Sequence, residues 1–162
     1  MANFKELGTN LDVILTKLLN NQTLCKLLYY KDTNPLSQDD LESPEILLYT
    51  TIFPYPRTTE LLSVASSILI VGFDNFKATS GNNFVGSILY FRILCHENQW
   101  QINSGLRPYL IMNEISTMFN NEKVVGIGAL SFGGGGEIRE GSFYSGFEFT
   151  YKITEFSRNF NV

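Results

Sequence analysis

Apolar positions in the first third of the chain recur with a helical period. Leu11, Ile14, Leu15, Leu18 and Leu19 follow the i, i+3, i+4, i+7, i+8 spacing that lines one face of a helix. Thr9 and Asp12 stand where a capping box would open it, with Asp in place of the usual Glu. The polar run Asn20-Asn21-Gln22-Thr23 interrupts the stripe, and Leu24, Leu27 and Leu28 resume it through Tyr30. The pattern predicts a helix, a break at the asparagines and a second short helix.

Residues 31–46 read as a loop with two prolines. The apolar stretch 45–56 (EILLYTTIFPYP) ends in Pro-Tyr-Pro, which cannot lie in a central strand and marks an edge or an extended arm. Two strands follow, Ser67–Phe73 and Phe84–Cys95, with Ser80-Gly81-Asn82-Asn83 as a hairpin turn between them. The second has apolar residues on both alternating faces, so one face suits helices and the other a neighbour. Trp100-Gln101-Ile102 reads as a short strand and Asn103-Ser104-Gly105 as a turn. Leu106–Asn121 is a helix, with Pro108 in its first turn and Leu110, Ile111, Glu114, Ile115, Met118 and Phe119 at helical spacing.

The last third returns to a period of two. Val124–Phe132 is expected as one strand interrupted by Gly126 and Gly128. From Phe147 the residues Phe147, Phe149, Tyr151 and Ile153 alternate with Glu148, Thr150, Lys152 and Thr154, as in a strand with one buried face. Gly133-Gly134-Gly135-Gly136 then falls between two strands and is expected as the tip of a β-hairpin, mobile in the isolated protein. The element order implies one α+β domain over 1–162: a mainly antiparallel sheet flanked by N-terminal helices and one central helix.

Charge refines this outline only locally. The formal net charge is −4, and residues 31–45 hold five acids and one base, leaving eleven of each elsewhere. The acidity is confined to one loop, and no basic stripe exists to hold a nucleic-acid backbone. The N-terminus lacks a signal-peptide pattern, and the longest apolar block, Ser67–Phe73, is too short to span a bilayer. The expectation is a chain made in a cytosol that contacts no membrane.

Candidate chemistry is sparse. After the glycine run stand Glu137 and Ile138, where a phosphate loop of the Walker type needs Lys and Ser/Thr, and an acid there would repel phosphate. The chain has one histidine and two cysteines, Cys25 and Cys95. Cys95-His96 is the one close pair, and on a strand adjacent side chains point to opposite faces. Neither a metal site nor a Cys-His nucleophile is expected. The acids Asp39, Asp40 and Glu42 sit on the loop, where solvent leaves a carboxyl pair little use. No catalytic residue and no cofactor is assigned, and binding or assembly gains weight. A small hydrolase using Cys95 or the acidic loop is the enzymatic alternative.

Four stretches in a fixed order carry a resemblance: Leu24–Tyr30 (LCKLLYY), Ile52–Pro56 (IFPYP), Ile93–Trp100 (ILCHENQW) and Leu106–Asn121 (LRPYLIMNEISTMFNN). With the two-part leucine-rich helix they resemble the tail-completion or tail-terminator proteins of tailed bacteriophages, over residues 10 to 121. The resemblance implies a small α+β protein that assembles as a hexameric ring at the tail–neck junction of the virion. Such a ring caps the tail tube, stops its polymerisation and joins the tail to the neck and head. Its partners would be further copies of itself, the tail tube protein and a neck or head-completion protein, with genome DNA passing through the lumen unbound. A neck adaptor or a baseplate-hub protein is the alternative within the same particle. Phe132, Gly133, Gly134, Gly135, Gly136, Glu137 and Arg139 are the candidate protein contacts.

Overall fold

A computed structural model describes residues 4–78, 84–124 and 127–155. The first helix, α1 (Phe4–Leu19), buries Ile14, Leu15 and Leu18, and α2 (Gln22–Tyr29) buries Leu24, Cys25, Leu27 and Leu28. The break between them is a cap. The side chain of Asn21 accepts a hydrogen bond from the Leu24 amide at 2.9 Å, and its Nδ2 donates to Glu114 Oε2 at 3.0 Å. The expected Thr9–Asp12 capping box does not form. The helix starts one and a half turns earlier, and the Thr9 hydroxyl donates back to the Lys5 carbonyl within it.

The acidic loop is folded onto α2 through short 3-10 turns at Pro35–Ser37 and Pro44–Leu47. Gln22 grips Leu41 at both ends of its amide, donating to its carbonyl at 3.0 Å and accepting from its N–H at 2.9 Å. Lys26 pairs with Asp40 at 2.7 Å.

The strands are β1 (Ile52–Phe53), β2 (Ser67–Ala78), β3 (Phe84–His96), β4 (Gln101–Ile102) and β5 (Gly105–Leu106). Helix α3 (Arg107–Phe119) follows, then β6 (Lys123–Val124), β7 (Gly128–Glu140) and β8 (Tyr144–Glu155). Six of them form one sheet in the order β1-β2-β3-β8-β7-β6, while β4 and β5 make a small hairpin. The β1–β2 pair is parallel and the other pairs are antiparallel. The fold is α+β with a mainly antiparallel sheet, N-terminal helices and a central helix. The Ser80–Asn83 turn between β2 and β3 lies outside the described residues.

One face of the sheet carries the main core. Leu69, Val71, Leu89, Phe91, Ile93, Phe149 and Tyr151 pack beneath Leu18, Leu27, Ile111, Ile115 and Phe119 from the three helices. Phe91 sits at the centre, with ring centroids 5.5 Å from Phe119 and 5.5 Å from Phe149. The opposite face holds a smaller cluster of Phe53, Ile68, Ile70 and Leu94. The two-sided apolar pattern of β3 is thereby used within the chain at Leu94.

Two expectations in the last third are corrected. Residues 124–132 do not form one strand: β6 and β7 turn back on each other, pairing Val124 with Gly128. The glycine run is no hairpin tip either. Gly133–Gly136 lie inside β7: Gly134, Gly135 and Gly136 pair with Thr150, Phe149 and Glu148 of β8, and Gly133 falls at the register shift between Phe132 and Gly134. The turn that joins β7 to β8 is Gly141-Ser142-Phe143. Contact with β8 explains the placement. Gly134 has φ +134°, and a Cβ on Gly135 would stand 2.5 Å from the Glu148 carbonyl oxygen and 2.7 Å from Phe149 Cβ.

Candidate functional site at the open edge of the sheet

The two ends of the sheet differ. At one end, β1 is two residues long and is followed by Pro54 and Pro56, so it offers little to pair with. At the other end, β6 covers only the start of β7. The last bonds on that side are Leu130 N–H to the Glu122 carbonyl at 3.0 Å and Asn121 N–H to the Leu130 carbonyl at 2.9 Å. From Ser131 to Arg139, no described strand pairs with the outer edge of β7.

Beside this edge runs a groove of about 540 Å³ between α3 and the sheet. Met112 and Ser116 of α3 form one wall, and Phe147, Phe149 and Tyr151 of β8 line the sheet side. On β7 the same face carries Phe132, Gly135 and Glu137, which stand opposite Tyr151, Phe149 and Phe147. Gly135 contributes no side chain, so Phe132 and Glu137 are posts at either end of a gap. Phe132 is 57% exposed, with its ring edge-on to Tyr151 at 5.8 Å. Tyr109, also exposed, leans on Phe147 at 4.8 Å.

The residues singled out from the sequence therefore share one strand. Phe132, Gly134, Gly135, Gly136 and Glu137 line the groove. Gly133 sits at the register shift, and Arg139, opposite Ser145, lies beyond the groove and is exposed. What the sequence reading missed is the wall from α3 and the floor from β8. The alternation Phe147, Phe149, Tyr151 was legible as a buried face. That α3 stops short of covering its outer margin was not.

The chemically suggestive groups stand elsewhere. The Cys95 side chain is buried in the helical core, whereas His96 stacks on Phe143 at 5.5 Å and its Nδ1 accepts from the Asn98 N–H at 3.3 Å. Burial pushes both the Cys25 and the Cys95 thiols up to about 11. Among the described residues, no group of three His, Cys, Asp or Glu is placed to hold a metal, and no helix is long and apolar enough to cross a membrane.

No curated protein and no solved structure matches the chain. The sequence model of the YomW family matches residues 21–153, a span from the Asn21 cap through most of β8. The chain thus belongs to the YomW family, whose name marks a phage-related protein.

Proposed function

We propose that the chain is a structural subunit of a phage tail, a ring-forming terminator that caps the tail tube and joins it to the neck. The observation that carries this reading is the unpaired edge of β7 with its apolar groove, on a chain of a phage-related family. Exposed aromatic side chains beside an uncovered strand are costly in a solitary protein and useful in an assembly.

The arrangement also suits cyclic symmetry. A ring interface is heterologous, so one patch must meet a different one. Besides the groove beside β7, the chain exposes Ile46, Tyr49 and Tyr55 near β1, at the far end of the sheet, where Tyr49 and Tyr55 stack at 6.2 Å. Two unlike apolar surfaces at opposite ends of one sheet suit head-to-tail closure.

Electron microscopy of particles lacking the protein tests the proposal. Tails of uncontrolled length, or tails unattached to heads, are expected. Normal joined particles would reject it, and a label at the distal tail tip would replace it with a baseplate position.

A further inference from the structure

We infer that the open edge of β7 accepts residues 156–162 of a second copy of the chain as an added antiparallel strand. The inference rests on the reading of the chain as a self-associating subunit, and not on its place in a particle.

An edge strand displays a row of backbone N–H and C=O groups, and proteins blunt such rows with proline, lysine and other charges, β-bulges or a covering element. Along residues 131–139 the one irregularity is the register shift between Phe132 and Gly134, and the charges are Glu137 and Arg139. Residues 131–139 contain neither proline nor lysine. No described residue pairs with their outer side. Strand addition satisfies these groups, and pockets for alternate side chains supply the selectivity.

Residues 156–162, Phe-Ser-Arg-Asn-Phe-Asn-Val, match that edge in pattern and charge. Extended, they place Phe156, Arg158, Phe160 and Val162 on one side and Ser157, Asn159 and Asn161 on the other. Glu137, on the groove face, has no ion-pair partner among the described residues. Setting Arg158 opposite Glu137 in antiparallel register puts Phe160 opposite Gly135, where no side chain obstructs it. Val162 then falls beside Phe132, and the Phe156 ring beside the Arg139 guanidinium. In this register the seven residues run along residues 133–139 of the edge, about 23 Å at about 3.3 Å per residue. The parallel arrangement with the same ion pair carries Phe160 and Val162 past the groove toward the β7–β8 turn.

The register also specifies a second copy. Within one chain Glu155 lies opposite Ala129. Arg139 is ten residues further along β7, about 33 Å away. The single peptide from Glu155 to Phe156 reaches about 3.8 Å. The outer side of Ala129 is moreover taken by Lys123 of β6.

Light scattering and sedimentation of the purified chain over a wide concentration range test this. The full chain is expected to self-associate, and a chain ending at Glu155 to be monomeric. Glu137→Arg and Arg158→Glu should each weaken association about tenfold or more through like-charge contact. Mixing the two variants should restore it, because the reversed edge of one accepts the reversed segment of the other. A peptide of residues 156–162 should slow amide exchange along residues 131–139 of the shortened chain. The proposal is overturned if the shortened chain associates as tightly as the full one, or if the mixed variants stay apart. A strictly monomeric full chain also overturns it, while tail capping would still be decided by the particles.

Discussion

The guanidinium of Arg107 donates from Nη1 to the carbonyl oxygen of Leu27 at 2.5 Å, tying the first residue of α3 to the last turn of α2. Arg107 is fully buried, and its other donors are spent on backbone as well: Tyr30 O at 2.8 Å, Asp32 O at 2.9 Å and Gln99 O at 2.8 Å. Helix carbonyls in a last turn lack partners of their own, and a cation at that end is also favoured by the helix dipole. Burial lowers the Arg107 pKa from its ordinary value, and the nearby Cys95 and Asp32 oppose that shift. One side chain thus fixes where α2 ends, where the acidic loop begins and where α3 starts.

Replacing that fork is expected to be costly. Arg107→Lys keeps the charge but cannot reach four carbonyls in three directions. Each charge-assisted bond contributes roughly 1.5–3 kcal/mol, and an orphaned buried carbonyl costs a further amount. A loss of about 3–5 kcal/mol is expected in urea denaturation, with Arg107→Met at least as damaging. A change below about 1 kcal/mol would show that the carbonyls find other partners.

Much of the scaffold was legible because packing and local preference agree there. The leucine stripe of α1 and α2, the Asn20-Asn21 break and the alternation of β8 are all met by the structure. Pro-Tyr-Pro does end an edge strand. Arg107 was invisible for a physical reason: nothing in its neighbourhood distinguishes a buried fork from a solvated arginine, since three of its four acceptors are backbone atoms 75 to 80 residues away. The glycine run was misread because local entropy favours a loop there, whereas contact with β8 demands the missing side chains. The candidate contact residues all fall along β7, which the sequence reading had broken at the glycines, and the rest of the groove comes from α3 and β8, which only the tertiary fold brings to it.

The glycines offer a sharp comparison. Gly135→Ala forces a Cβ to within 2.5 Å of the Glu148 carbonyl oxygen, while nothing lies within 4 Å of a Cβ on Gly136. Overpacking against backbone costs roughly 1–3 kcal/mol. Relieving a glycine of unfolded-state freedom stabilises by about 0.4–1 kcal/mol where the conformation permits. Gly135→Ala should therefore lower stability and Gly136→Ala leave it equal or slightly raised. Equal effects at both positions would contradict the close pairing of β7 with β8.

The two thiols give stability a dependence on alkaline pH. An unfolded thiol ionises near 9, and burial raises Cys95 and Cys25 to about 11 in the fold. Between those values the unfolded chain has already released protons that the native state retains. Stability is expected to be intact below pH 9 and to fall as pH rises through 11, by about 2–3 kcal/mol for Cys95. Cys95→Ser should flatten that part of the curve. In the native protein near neutral pH, a thiol reagent should label neither residue until the chain is unfolded. Rapid labelling of the native protein would contradict the burial.

Phe132 separates a role in assembly from a role in folding. Its ring is 57% exposed and touches Tyr151 by one edge, so Phe132→Ser removes little buried area. Stability should fall by less than about 1 kcal/mol, as for other surface changes. Its position at the end of the groove gives the substitution a larger effect on any contact made there, because aromatic anchors carry a disproportionate share of interface energy. In a host supplying only the variant, unjoined heads and tails are expected to accumulate even though the protein folds. The matched comparison is Phe91→Ser, which empties the centre of the core and should destroy the fold itself. If the Phe132 variant folds and supports a normal yield of joined particles, the groove beside β7 is not an assembly surface.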